Sequence, residues 1–240
     1  MSVVSCFKIV PDDTLIRPVG GKLETNVQVK ISTYDKNAIE EAVRIKEKTG
    51  WKAIGITVGN TDRKSVREAL SMGLDEVISV SSPYLDVPGT AMAVAEAIKG
   101  LSPKIVLTAE TTTDSSTSAF PPYLSQVLGY TLVSFARSIA VQGDKVKVER
   151  SVGDIEVIEA PLPAVISVTG EINTPRTPSV RQIMESSKKP VKQVEFSQVP
   201  LTELVEVKPF VVNRKRVIIE KPMEEAVEQL LSYLKGEGIL

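Results

Sequence analysis

Residues 53–80 read AIGITVGNTDRKSVREALSMGLDEVISV, and this stretch decides the fold. The apolar runs 53–58 and 76–80 each predict a short buried strand. The residues between them, with Thr61 or Asp62 as a polar cap, predict one helix. A strand, a helix and a strand in this order predict a βαβ unit whose two strands are parallel.

The same alternation covers the first two-thirds of the chain. Further strands are predicted at Val3–Val10 and Ile105–Thr108, and further helices at Thr90–Lys99, at Ser115–Leu128 and after Tyr34, with Asp35 as an N-cap. The strands are continuous apolar runs, as a parallel sheet buried on both faces requires. We therefore predict an α/β, Rossmann-like three-layer fold with a mostly parallel sheet.

The pattern changes after about residue 131. Extra β segments are predicted at 133–141, 145–150, 155–160 and 164–169, a final strand at Arg216–Glu220 and a final helix at Pro222–Leu234. A proline-punctuated stretch with one short helix follows the β segment 164–169. We divide the chain into an α/β domain, 1–190, and a C-terminal arm, 191–240, which we expect to pack on a partner.

Composition excludes several classes of function. The formal net charge is −1, so no global field attracts nucleic acid, and no apolar stretch is long enough for membrane insertion. The chain has no histidine, which excludes His-dependent catalysis and a His-ligated metal. With Cys6 as the single cysteine there is no intrachain disulfide, which fits a cytoplasmic protein. We expect no metal site and no hydrolytic chemistry of the chain's own.

One polar stretch follows a predicted buried strand. Residues 108–120 read TAETTTDSSTSAF, with hydroxyls around Asp114. In parallel sheets, ligands bind beyond the carboxyl ends of the strands, and three loops qualify: 11–14, 59–62 and 109–118. A helix start at 114–117 can hold phosphate through its free N–H groups. The residues alone leave two interpretations open, a capped polar loop and a nucleotide site.

Four segments together resemble the β subunit of electron-transfer flavoproteins, the FixA type. They are ISTYDKNAIEEAVRIKEKTG (31–50), GITVGN followed by VREALSMGLDEVISV (55–80), IVLTAETTTDSSTSAFPPYLSQVLGY (105–130) and LPAVISVTGEINTPRTPSVRQIMESSKKPV (162–191). The fourth is the most specific, because Leu-Pro-Ala-Val, Asn-x-Pro-Arg and Ile-Met stand in it as the family has them. The resemblance covers essentially the whole chain.

This resemblance implies an adenine nucleotide α-hydrolase-like fold and a role in electron transfer. The family pairs the β subunit with an α subunit that binds the redox-active FAD. The β subunit binds AMP or, in bifurcating members that use NADH, a second FAD. The implied partners are an α subunit, dehydrogenases and a quinone reductase. Flavin would then do the redox work that the missing histidine cannot.

The resemblance also implies site residues. The cofactor-binding positions fall on Cys6, Ser32, Thr33, Tyr34, Asp35, Val58, Glu110, Asp114, Ser115, Ser116, Thr117 and Ser118. Thr117 and Pro122 match the bifurcating type. Ser32 and Thr33 depart from the family's Asn-Pro.

Residues 171–186 match the family's recognition loop for dehydrogenases. The implied docking residues are Ile172, Asn173, Pro175 and Arg176. An apolar side chain such as Ile172 suits an interface hot spot, and it equally suits packing on its own chain.

A second function stays open from the residues. The chain could be a stand-alone adenine-nucleotide-binding module without a redox role. The long C-terminal arm argues against this alternative, because a lone domain rarely needs one.

Overall fold

Strands and helices alternate along the first part of the chain, as the apolar pattern predicts. The structure is a computed structural model that describes residues 1–83, 85–210 and 214–240. The strands are β1 (Ser2–Cys6), β2 (Ile9–Pro11), β3 (Arg17–Val19), β4 (Lys22–Glu24), β5 (Val29–Ile31), β6 (Lys52–Val58), β7 (Glu76–Ser81), β8 (Ile105–Ala109), β9 (Thr131–Gln142), β10 (Lys145–Val152), β11 (Asp154–Pro161), β12 (Ala164–Val168) and β13 (Val191–Glu195). The helices are α1 (Thr33–Thr49), α2 (Arg63–Ser71), α3 (Val87–Ile98), α4 (Phe120–Leu128), α5 (Val180–Ser186) and α6 (Met223–Gly236).

A nine-stranded sheet forms the centre of the fold, in the order β11-β10-β9-β12-β8-β1-β6-β7-β13. Every pair from β9 to β13 in this order is parallel, and only β9-β10 and β10-β11 are antiparallel. Val4 of β1 lies opposite Ile54 of β6 and Val106 of β8. The predicted α/β fold with a mostly parallel sheet is confirmed.

Helices cover both faces of this sheet. Val3 packs with Ile39 of α1 and Leu70 of α2 in one buried cluster, whereas Val4 packs with Val94 of α3 in another. Successive residues of a strand point to opposite faces, so an uninterrupted apolar strand feeds both clusters. The fold therefore has three layers, as predicted.

The N-terminal prediction needs two corrections. The single strand expected at Val3–Val10 is two strands, because β1 ends at Cys6 and β2 pairs with β5 in a separate small sheet. Asp35 is not the N-cap of α1. Ser32 holds that position, and the Asp35 carboxylate accepts the backbone N–H of Lys8 at 2.8 Å instead.

The helix expected at Ser115–Leu128 begins later, at Phe120. Ser116 and Ser118 have φ of 49° and 52°, in the left-handed region that a right-handed helix cannot include. The proline pair at 121–122 fits the first turn of α4, where a missing N–H breaks no helical bond. The predicted helix start at 114–117 is therefore a loop.

The C-terminal prediction is correct in part. The final helix exists as α6, with Pro222 at its N-cap. The strand expected at Arg216–Glu220 is wrong, because the described residues 214–220 have no regular secondary structure and Arg216 has a φ of 46°. The chain divides into two units, Met1–Val207 and Lys208–Leu240, so that β13 belongs to the first and α6 to the second.

Gly55 in β6 has no room for a side chain. A Cβ at this position would lie 2.7 Å from Leu74 Cδ1 and 3.0 Å from Phe7 Cε1. We expect Gly55→Ala to lower the free energy of unfolding by about 1–3 kcal/mol through overpacking, measured by urea denaturation. Gly100→Ala is the control, because nothing lies within 4 Å of its Cβ, and its expected change is within about 0.5 kcal/mol. Equal stability of the two variants would contradict this packing.

Candidate functional site

The carboxyl ends of β8, β1 and β6 meet at one edge of the sheet, which we call the rim. These strands are neighbours and parallel, so the chain segments that follow them leave the sheet side by side. The rim comprises Cys6 to Lys8 after β1, Val58 at the end of β6, and the loop 110–119 after β8. The start of α1 joins them through Ser32 and Asp35. This is where α/β sheets of this type bind ligands.

Lys8 is the cation of the rim, and the sequence pattern did not predict it. Its Nζ lies 2.5 Å from Oδ2 of Asp114, and its backbone N–H donates to Oδ2 of Asp35. Lys8 therefore connects the loop after β8 with the start of α1. The signal that could have found it is the end of β1, since a strand that stops at Cys6 places Lys8 at the rim.

Asp35 is a buried carboxyl, with only 4% of its surface exposed. Burial raises its pKa to about 7, and Asp114 contributes in the same direction, while the Lys8 N–H and the Lys8 charge oppose the shift. Burial also raises the pKa of the Cys6 thiol, to which the charge of Asp35 adds. A protonated, buried thiol packs in the core and is no nucleophile.

The loop 110–119 is held by its own hydroxyls. Thr112 Oγ1 donates to Oδ1 of Asp114 at 2.6 Å, and the Ser116 N–H donates to the Thr112 carbonyl at 3.1 Å. The Thr113 N–H donates to Oγ of Ser32 at 3.3 Å, which joins the loop to the first residue before α1. Burial alone would raise the pKa of Asp114. The pKa is nevertheless lowered, because Lys8 and Thr112 donate hydrogen bonds to the carboxylate.

Buried hydroxyls in the segments that follow β7 and β8 have no partner among the described residues. They are Thr111 Oγ1 and Thr113 Oγ1 in the loop and Ser82 Oγ after β7. Buried polar groups are normally hydrogen-bonded. Four hydroxyls within the strands, those of Ser5, Thr57, Ser79 and Thr108, are also unpartnered among the described residues, so this property is not confined to the loop. Hydroxyl donors beside a lysine suit phosphate oxygens, and the loop with Lys8 is therefore compatible with a phosphate-bearing ligand.

The predicted cofactor-binding residues differ in their exposure to solvent. Cys6, Ser32 and Asp35 are buried, and Val58 and Glu110 are half-buried at strand ends. The remaining predicted residues are exposed on the outside of the rim: Thr33, Tyr34, Asp114, Ser115, Ser116, Thr117 and Ser118. Burial raises the pKa of Glu110, and the charge of Glu171 acts in the same direction.

Three of the four predicted docking residues, Arg176, Asn173 and Ile172, contact their own chain, and Pro175 lies half-buried between them. Arg176 makes ion pairs with Glu40 at 2.8 Å and Glu47 at 2.7 Å, both on α1. The Asn173 amide donates to the Asn37 carbonyl at 3.0 Å. Ile172 is half-buried and packs against the core cluster on the α1 face.

The exposed apolar side chains of the stretch 171–186 lie on α5 instead. Val180 is 74% exposed, Met184 69% and Ile183 49%. A capping box fixes the start of this short helix, because Ser179 and Gln182 bond each other's backbone N–H groups. The sequence signal for this patch is three apolar residues at helical spacing after a Ser cap.

Comparison with known proteins gives the family of the chain. The electron transfer flavoprotein domain matches residues 20–199. The chain belongs to the electron transfer flavoprotein family.

Of three relatives, two match essentially the whole chain, and the third matches most of it. The chain is 32% identical over 260 aligned residues to a protein named electron transfer flavoprotein subunit beta from Thermoanaerobacterium thermosaccharolyticum, with all of both chains covered. It is 30% identical to the protein of the same name from Clostridium acetobutylicum, with 99% of each covered. The one from Syntrophomonas wolfei is 34% identical over 80% of this chain and 78% of its own. The β-subunit resemblance is confirmed.

Neither a metal centre nor a membrane span is found in the part of the chain that the structure describes. Those residues contain no group of three or more side chains that could hold a metal ion. None of their helices combines the length and the apolarity needed to cross a membrane.

The raised pKa of Asp35 leads us to expect that the stability of the fold depends on pH. Its folded pKa of about 7 lies above the unfolded value near 3.9, so the folded state holds the proton more tightly. The associated stability is complete at acid pH and is lost as the pH rises through 7. Relative to Asp35→Asn, we expect the wild type to lose roughly 2 kcal/mol of unfolding free energy between pH 5 and pH 8, measured by urea denaturation.

The control for this experiment is Asp144→Asn, at an exposed turn position. Its difference from the wild type should not change with pH over this range. A pH-independent difference for Asp35→Asn as well would contradict a buried carboxyl that titrates near neutrality.

Proposed function

We propose that this chain is the β subunit of a heterodimeric electron transfer flavoprotein. In this role it binds AMP or a second FAD at the rim, and with an α subunit it carries electrons between dehydrogenases and an acceptor such as a quinone reductase. The observation that supports the nucleotide most is the unpartnered pair of buried hydroxyls at Thr111 and Thr113, in the loop whose Asp114 pairs with Lys8. Whole-length similarity to proteins named subunit beta supports the assignment to the β subunit.

The residues of the rim have different tasks in this proposal. Thr111 and Thr113 donate to the nucleotide's phosphate oxygens, and Lys8 balances their charge. Asp114 orders the loop through Thr112 and Lys8 rather than touching phosphate, because two anions would repel. Ser32 fixes the loop against α1 through the Thr113 N–H. If FAD is bound, its flavin supplies the redox chemistry.

The proposed α-subunit contact rests on apolar surface in the C-terminal arm. In the stretch 199–207, Val199 and Val205 are almost fully exposed. Asp86, the N-cap of α3, holds the start of this stretch by accepting the backbone N–H groups of Leu201 and Thr202 at 2.6 and 3.0 Å. A stretch that is anchored yet exposes large apolar side chains suits an interface.

Helix α6, which is described throughout, offers a second apolar surface. None of its residues is buried, and Val227, Leu230 and Leu231 lie at helical spacing. A stand-alone nucleotide-binding module would have no use for either surface. This is why we favour the heterodimer over that alternative.

The dehydrogenase would dock on α5 in this proposal. Its exposed apolar residues Val180, Ile183 and Met184 can insert into a partner, whereas Ile172 packs on its own core. The Arg176 ion pairs with α1 keep the segment before α5 in one position. A preformed segment loses less conformational entropy on binding.

The first test is coexpression with an α chain. We expect a yellow 1:1 complex whose released ligands include AMP or FAD by mass spectrometry. The double variant Lys8→Gln/Thr113→Val should retain nucleotide at least about tenfold more weakly, since a hydrogen bond to a charged group contributes about 1.5–3 kcal/mol. Lys145→Gln, an exposed change on β10, should leave nucleotide content unchanged. A nucleotide-free complex, or full retention by the double variant, would refute the site.

The second test concerns docking. Val180→Asp/Met184→Asp should lower the rate of electron transfer from a partner dehydrogenase about tenfold or more, because charges would enter an apolar contact. Nucleotide content and thermal stability should stay as in the wild type, since both side chains are exposed. Ile172→Val is the comparison, with a rate close to that of the wild type. A larger loss of rate in Ile172→Val than in the double variant would instead assign the docking role to Ile172.

A further inference from the structure

A second concave surface lies away from the rim loops of β1 and β8. It is a groove of about 530 Å³ between α2, α5 and β13, and we call it the basic groove. Its size lies within the usual range of small-molecule sites. β13 is the edge strand of the sheet. The strand β7 therefore separates β13 from β6 and β1, whose carboxyl ends belong to the rim.

Four cations line the basic groove: Arg63, Lys64, Arg67 and Lys189. Among the described residues that line it there is no carboxylate. Arg63 and Arg67 stand four residues apart on α2, where like charges repel. Arg63 and Lys64 also occupy the first turn of α2, which contains no acid, although the helix dipole disfavours cations there. The groove therefore concentrates positive charge.

The carboxylates nearest along the chain are engaged elsewhere. Glu68 on α2 pairs with Lys36 at 2.6 Å, and Glu185 on α5 pairs with Arg181 at 2.7 Å. Asp62 caps α2 by accepting the Ser65 N–H at 2.8 Å. These three carboxylates thus already serve other cations and N–H groups.

Lys189 is fixed in place at one end of the basic groove. Its Nζ donates to the carbonyls of Leu70 at 2.8 Å and Leu74 at 2.7 Å. Burial lowers its pKa and Lys46 adds to that shift, while Asp75 and Glu185 oppose it, so a further anion nearby would favour the charged form. Val66 and Val191 add apolar surface to the lining.

We propose that the basic groove binds a small phosphorylated organic anion with at least two negative charges. Arginine forks match phosphate oxygens in a bidentate way, and Arg63 and Arg67 supply two of them on one helix face. Lys189 supplies a third, immobile charge. The apolar lining would contact the carbon skeleton of the ligand. This site is separate from the nucleotide site proposed above and does not depend on it.

Calorimetric titration of the full-length chain with inorganic pyrophosphate tests the proposal. We expect saturable binding that weakens at high salt, and an affinity at least tenfold lower in Arg63→Gln/Arg67→Gln. The melting temperature of this variant should equal or exceed that of the wild type, because the substitution removes a repulsive pair. A preserved melting temperature shows that lost binding is not lost folding.

Two control variants show whether pyrophosphate binds in the groove or elsewhere on the chain. Lys145→Gln/Lys147→Gln removes the same charge from β10 and should leave the affinity within twofold. Lys99→Gln, an exposed change just after α3, should do the same. The proposal is wrong if pyrophosphate does not bind the wild type, or if the two double variants weaken binding equally. It is also wrong if only the affinity for a protein partner changes, since the groove would then be a protein contact.

Discussion

The parallel pairing of β1 with β6 on one side and β8 on the other is the constraint on which the site depends. Val4 lies opposite Ile54 and Val106, so the three strands end together. This register brings Lys8 within ion-pair distance of Asp114, more than a hundred residues later in the chain. A shift of one residue would reverse the side-chain faces of β1 and remove both contacts of Lys8.

Charge at the rim is arranged around one buried carboxyl. Asp35 costs free energy when it is ionised, yet its bond to the Lys8 N–H holds the turn after β1 against α1. Asp114, which is more exposed, takes the Lys8 ammonium. The two acids therefore differ in role because they differ in solvation. The same region contains two of the non-glycine residues with left-handed backbone angles, Ser116 and Ser118.

The local sequence pattern predicted the layers of the fold well, because the spacing of apolar residues in helices and the apolar runs in strands depend directly on burial. It failed where a distant residue decides a local conformation. Asp35 was expected to cap α1, and only the tertiary contact with Lys8, 27 positions earlier, explains why it does not. The start of α4 was placed five residues early, since left-handed serines leave no composition signal.

The edge strand β13 has a consequence for the way the protein is made. It pairs with β7, and Val191 lies opposite Val77, so the outer edge of β7 has no covering strand until the ribosome has added over a hundred residues. At ordinary translation speeds that delay is roughly ten seconds. For that interval the nascent sheet presents an open row of backbone donors and acceptors, to which a strand from a neighbouring nascent chain can add.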